Sequence, residues 1–90
     1  MKKINKFSIY GTPVGESKEI KLDEISILAD SEAIKSIGMF LINAAYEMEM
    51  NGLEHMHFQD FFKDFTSGEH VDVIALNAEL IHVLAEKKQQ

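Results

Sequence analysis

The 90-residue chain contains no cysteine and no arginine, and it has no long hydrophobic run. Without cysteine it can form no disulfide and offers no thiolate for catalysis, which agrees with a reducing compartment. No apolar run approaches the ~20 residues that a helix needs to span a bilayer, and the first residues lack the apolar core of an export signal. The sequence therefore predicts a cytoplasmic protein that does not associate with a membrane.

The missing arginine matters because the chain is acidic, with a formal net charge of −6. Residues 1–21 carry five Lys and two Glu, a net charge of +3, whereas residues 22–90 carry four Lys and thirteen acidic residues, a net charge of −9. Phosphate contacts dominate nucleic-acid affinity, so an acidic surface without guanidinium groups predicts no nucleic-acid partner. Such acidity commonly serves solubility, and it also favours a basic protein partner, because complementary charges steer association.

Length and composition indicate one folded domain that covers residues 1–90. Hydrophobic residues make up 46% of the chain and charged residues 27%, values typical of globular proteins. A chain of this length forms a single core of modest size. No internal repeat, low-complexity tract or linker divides it.

One long helix is predicted from Ser31 to Asn51. Asp30 or Ser31 can cap its first free amides, and Gly52 can adopt the left-handed conformation that ends a helix. Two apolar stripes occur at helical spacing. The stronger stripe consists of Ile34, Ile37, Leu41, Ala44, Ala45 and Met48, and the weaker one consists of Met39, Ile42, Tyr46 and Met50. One sheet face covers only one stripe, so the second needs the chain's own C-terminal segment, a protein partner or a second copy.

The remaining segments alternate between apolar and polar residues, as half-buried strands do. Strands are expected over residues 3–10, 18–22, 25–29, 54–58 and 71–76. The alternation changes phase at Asp23-Glu24, which indicates either a bulge within one strand or a corner between two. The pattern predicts an α+β fold in the order β-β(-β)-α-β-β. Its antiparallel sheet has about four strands, one face packed on the long helix and the other open to water.

The C-terminal third combines an aromatic cluster with an ambiguous apolar run. Four Phe share one helical face, and Asp60 can cap a short helical turn over residues 60–65. Two structures remain open for the following segment. Either a strand over 71–76 precedes a helix that Asn77 caps, or one helix runs from Asp72 to Glu86.

The only concentrated polar motif is His55-Met56-His57. On a strand the two histidines project from the same face, about 6–7 Å apart. They could bind zinc or another first-row metal if a third ligand joined them. The candidates for that ligand are Glu54, Asp60, His70 and Asp72. A His-x-His pair alone is a weak motif, so no metal and no other cofactor is predicted, and the pair is interpreted as structural or interfacial.

No catalytic motif accompanies the histidines. The chain lacks a cysteine nucleophile, a GxSxG elbow and the glycine-rich loops that bind phosphate. The acidic pairs Glu47/Glu49 and Asp60/Asp64 are typical of solvated faces, and a domain of this size has little room for a deep pocket. The sequence therefore predicts a protein that is not an enzyme.

The order of these segments resembles a family of small predicted immunity proteins from bacterial polymorphic toxin systems. The similarity covers roughly residues 5–78. It is carried by the strand segment 20–27, the acidic helix start Asp30-Ser31-Glu32, the helix end 44–49, the block His55-Met56-His57-Phe58 with Asp60-Phe61, and the late strand 72–77. Membership would imply that the chain binds and neutralises a cognate toxin protein and catalyses no reaction.

Under the immunity hypothesis the partner contacts are expected on the histidine face and on the neighbouring acidic residues. The predicted partner-binding residues are His55, His57, Asp60, Glu47, Glu49 and Glu54. One alternative is a small homodimer that associates through Met39, Ile42, Tyr46 and Met50. The other alternative is a metal-binding module that uses His55 and His57.

Overall fold

Helix α1, Ser31–Asn51, begins and ends at the residues that the sequence predicts. In the computed structural model, which describes residues 3–81, the Oδ1 atom of Asp30 accepts a hydrogen bond from the Ala33 N–H at 2.9 Å. At the other end Gly52 has φ 62° and ψ 33°, and its N–H donates to the Met48 carbonyl. Both caps satisfy backbone groups that a helix end leaves free. Within residues 3–81 no helix is both long enough and apolar enough to cross a bilayer.

Four short strands form two separate antiparallel sheets. Strand β1 (Ile9–Gly11) pairs with β2 (Ile20–Leu22), and β3 (His55–His57) pairs with β4 (Ile74–Leu76). A 3₁₀ helix, Phe58–Phe61, follows β3 directly. No strand pairing joins the two sheets in residues 3–81. The α+β class is therefore confirmed, but the predicted single sheet of about four strands is wrong.

The N-terminal strands are much shorter than their alternating patterns predict. β1 keeps only the end of the expected strand 3–10, β2 keeps three residues of 18–22, and residues 25–29 form no strand. A bend at Asp23 ends β2, so the phase change marks a corner and not a bulge. Alternation of apolar and polar residues indicates that one side of a segment is buried. A strand also needs a neighbouring segment that hydrogen-bonds to its backbone groups. No described segment pairs with residues 25–29.

The second sheet is extended at both ends by hydrogen bonds outside the paired residues. The Phe58 N–H donates to the Val73 carbonyl and the Asn77 N–H donates to the Glu54 carbonyl, each at 2.8 Å. The expected strand 54–58 is thus present as β3 and its flanking residues, while β4 covers only the second half of 71–76. A helical turn starts after Asn77, so the alternative of one helix from Asp72 is wrong. The rest of the predicted C-terminal helix lies outside the described residues.

The core lies between α1 and the β3–β4 sheet. Phe40, Ala44 and Met56 are the buried side chains of the described part of the chain. Four partly buried residues pack against them, namely Leu53, Phe58, Val73 and Ala75. The ring of Phe40 makes edge contacts with those of Phe58 and Phe61, with centroids 5.5 and 5.8 Å apart. Aromatic packing therefore attaches the helix to the sheet.

The buried face of α1 is rotated from the stronger predicted stripe. Phe40 belongs to neither predicted stripe, yet it is only 4% exposed, while Ile34, Leu41 and Ala45 of that stripe are exposed. Neighbouring residues differ by about 100° around a helix, so burial of Phe40 turns Leu41 toward solvent. The aromatic residues beyond β3 supply the partner for Phe40, and their position is not visible in the periodicity of the helix.

We expect Phe40→Ala to lower the free energy of unfolding by about 3–5 kcal/mol, because it removes a buried ring and leaves a cavity. Val14→Ala is the matched control, because it also shortens an apolar side chain. Val14 is fully exposed in the loop between β1 and β2, so a change within about 0.5 kcal/mol is expected. Urea unfolding followed by circular dichroism measures both variants. Equal losses would contradict the assigned core.

Candidate functional site

The side chains of His55 and His57 lie together on the face of β3 that points away from the core. Met56 between them is buried, so the alternation of the strand directs both histidines outward. Their ring centroids are 5.4 Å apart and their planes are inclined by 81°. The cross-strand partner of His55 is Leu76 and that of His57 is Ile74. We call these four residues the outer face of the sheet.

A carboxylate holds each of the two imidazoles. The Nδ1–H of His57 donates to Asp72 Oδ2 at 2.7 Å, and the Nδ1–H of His55 donates to Glu54 Oε1 at 3.2 Å. The first pair is partly buried, whereas the second is half-exposed. Because hydrogen bonds strengthen as water is excluded, the Asp72 contact is the one that fixes a ring orientation.

Asp72 also explains why the 3₁₀ helix starts at Phe58 and not at Asp60. Its Oδ1 atom accepts a hydrogen bond from the Gln59 N–H at 2.9 Å, which satisfies an amide at the start of that helix. The predicted Asp60 cap is therefore wrong: Asp60 lies within the 3₁₀ helix, and Asp72, which precedes β4, accepts the hydrogen bond at its start. Continuing the β3–β4 register past His57 places Asp72 opposite Gln59 and diagonal to His57, within reach of both.

The structure brings only three of the six predicted partner-binding residues together, namely Glu54, His55 and His57. Glu47 and Glu49 lie in the last turns of α1, where Glu47 Oε1 accepts a hydrogen bond from the Asn51 side chain at 2.7 Å. Asp60 is exposed within the 3₁₀ helix. In the part of the chain that the structure describes, no hydrogen bond or ion pair links these three residues to the histidines.

The same geometry bears on the metal-binding alternative. Residues 3–81 contain no group of three or more His, Cys, Asp or Glu side chains placed to hold one ion. Glu54 and Asp72, two of the four candidate third ligands, instead hydrogen-bond to the Nδ1 atoms of the histidines. Such carboxylates orient imidazoles in metal sites, but two nitrogens alone fall short of the ligand number of a protein zinc site.

The weaker predicted stripe of α1 is the most exposed apolar surface of the helix. Its residues are between 56% and 73% exposed, and they are Met39, Ile42, Tyr46 and Met50. Residues 3–81 leave all four side chains more than half exposed. Cover by the segment 82–90, which was one of the predictions, lies outside the described residues.

An open cleft of about 620 Å³ lies between residues 26–30, the first half of α1 and the aromatic cluster. Its apolar lining includes Leu28, Ile37, Phe58, Phe62 and Phe65. Asp64, Glu69 and His70 also line it. The cleft was not predicted, because a strand was expected over residues 25–29. Its largely apolar lining suits an apolar side chain.

His70 differs from His57 in the role of its Nδ1 atom. The Thr66 N–H donates to His70 Nδ1 at 2.9 Å, so this nitrogen must carry no proton. The Nδ1 atom of His57 faces a carboxylate and must carry the proton when the ring is neutral. The two rings therefore have opposite neutral tautomers, although both lie in the same small domain.

We expect long-range ¹H–¹⁵N NMR at a pH where the histidines are neutral to show His57 protonated on Nδ1 and His70 on Nε2. In Asp72→Ala the carboxylate acceptor is gone, so His57 should gain the Nε2–H form. His70 should not change, and it serves as the control within each sample. The same tautomer for both rings in the native chain would contradict the assigned hydrogen bonds.

Comparison of the chain with protein-family models, with curated proteins and with solved structures finds no match. The resemblance to small immunity proteins therefore remains an expectation. A function for this chain has to be inferred from its own residues, their exposure and their charge.

Proposed function

We propose that this chain is a non-enzymatic protein-binding domain, and that its partner is a cognate toxin protein which it neutralises. The observation that carries the protein-binding proposal is the amount of apolar surface left uncovered. Residues 3–81 include three buried apolar side chains and twenty large apolar side chains that are at least 38% exposed. Exposed apolar surface on this scale marks a surface for interaction.

The outer face is the partner site that we propose. Ile74 and Leu76 are each about half-exposed beside the two histidines. The face thus combines aliphatic side chains, which favour desolvated contact, with imidazoles that are held in place by carboxylates. A hydrophobic centre with a polar surround is the usual composition of an interface.

Charge favours a basic partner. Residues 22–90, which include the outer face, carry a net charge of −9. A surface of one sign raises the rate at which a protein of the opposite sign associates, and added salt lowers that rate. The toxin version of the proposal rests in addition on the resemblance of residues 5–78 to small immunity proteins.

We expect the chain to bind the product of the neighbouring upstream gene and to relieve its toxicity on co-expression. Ile74→Ser should weaken binding at least tenfold, because it removes an aliphatic contact from the outer face. Val14→Ser is the matched control, since Val14 is fully exposed in the loop of the other sheet. Surface plasmon resonance at two salt concentrations measures both variants, after circular dichroism has checked their folding.

Two results would contradict parts of this proposal separately. Absence of binding to that gene product, with no relief of toxicity, would overturn the immunity role. If Val14→Ser weakens binding and Ile74→Ser does not, the immunity role stands. The outer face is then excluded as the binding site.

A further inference from the structure

A base and an acid flank the exposed stripe of α1, so its charges are complementary to those of a second copy that runs in the opposite direction. Lys35, Met39, Ile42, Tyr46 and Glu49 are spaced by four, three, four and three residues, which is the spacing of one side of a coiled-coil helix. Three apolar residues occupy the middle, with a base at one end and an acid at the other. Lys35 and Glu49 each lie seven residues from Ile42, or about 10.5 Å along the axis.

We propose that this stripe is the interface of a homodimer in which two copies of α1 pack antiparallel about a two-fold axis at Ile42. In that arrangement Lys35 of each copy lies beside Glu49 of the partner copy, and the two Ile42 side chains meet at the axis. A parallel arrangement would place Lys35 beside Lys35 and Glu49 beside Glu49. Like charges repel, so the pattern selects the antiparallel pair.

The exposed area of the stripe is large enough for an interface with a second copy. The four stripe residues, which are more than half exposed, present on the order of 500 Å² per copy, within the range of functional surface patches. Two copies would bury about 1,000 Å², close to the lower limit for a specific interface. Lys35 is free to change partners, because its contact with Glu32 is 3.8 Å long and highly exposed. The Met residues adapt readily to a packing partner.

The dimer does not compete with the outer face. α1 packs through Phe40 and Ala44 against the inner side of β3, where Met56 lies. The histidines project from the opposite side of that strand, and the stripe residues lie on the exposed surface of a different element, α1. The dimer proposal therefore does not rest on the toxin proposal, and failure of either leaves the other intact.

The lack of cysteine makes the geometry testable in the 90-residue chain, since any introduced thiol is the only one present. A disulfide requires Cα atoms within about 7 Å. We expect Ile42→Cys to form disulfide-linked dimers under mild oxidation, because the two thiols meet at the axis. Lys35→Cys should not, because its two copies would lie about 21 Å apart along the axis. Linking of both variants would indicate parallel helices and overturn the proposal.

Charge exchange tests the same arrangement without oxidation. Lys35→Glu and Glu49→Lys should each weaken the dimer at least fivefold in sedimentation equilibrium at low salt, and the double variant should restore it. In a parallel pair each position faces its own copy, so a single exchange replaces two like charges by two like charges of the other sign. The double variant would then show no rescue.

Ile42→Glu should give monomers, while Val14→Glu, with the same change of charge on exposed loop surface, should not. A native chain that is monomeric at all concentrations tested would overturn the proposal.

Discussion

The edge contacts of Phe40 with Phe58 and Phe61 are the interaction on which the rest of the structure depends. They hold α1 on the β3–β4 sheet and so determine which way each element faces. With Phe40 turned inward, Met39, Ile42 and Tyr46 must face outward, because the helix repeats every 3.6 residues. With Met56 turned inward, both histidines must face outward, because a strand repeats every two. The burial of Phe40 and Met56 in one core thus leaves both candidate binding surfaces on the outside.

Features set by neighbouring residues could be predicted from the sequence, and features set by distant partners could not. Asp30 and Gly52 act within one turn of α1, so both ends of the helix were correct. The turn before residue 16 is likewise local: the Glu16 N–H donates to the Pro13 carbonyl, and Gly15 takes φ 83°. The number of sheets and the burial of Phe40 depend on segments far along the chain, where periodicity carries no information about which segments meet.

The histidine site also has one feature that could be predicted from the sequence and one that could not. Its shared face follows from the alternation of β3, and the sequence predicted it. The carboxylate partner of His57 could not be identified from the sequence, because fifteen residues separate Asp72 from His57. The pairing of His57 with Ile74 supplies the missing information, since it places Asp72 across from Gln59 and next to His57. Knowledge of one cross-strand pair would therefore have been enough to assign the whole cluster.

The small core and the large exposed apolar surface are two consequences of the same arrangement. A chain that buries few side chains has little stability of its own, because burial must offset the conformational entropy of every ordered residue. A partner that binds the folded state alone stabilises that state by mass action. The two proposed surfaces lie on different elements, so a second copy on α1 and another protein on the outer face would each add to stability without displacing the other. If both proposals hold, folding and binding are coupled, and the domain gains part of its stability from the proteins that it binds.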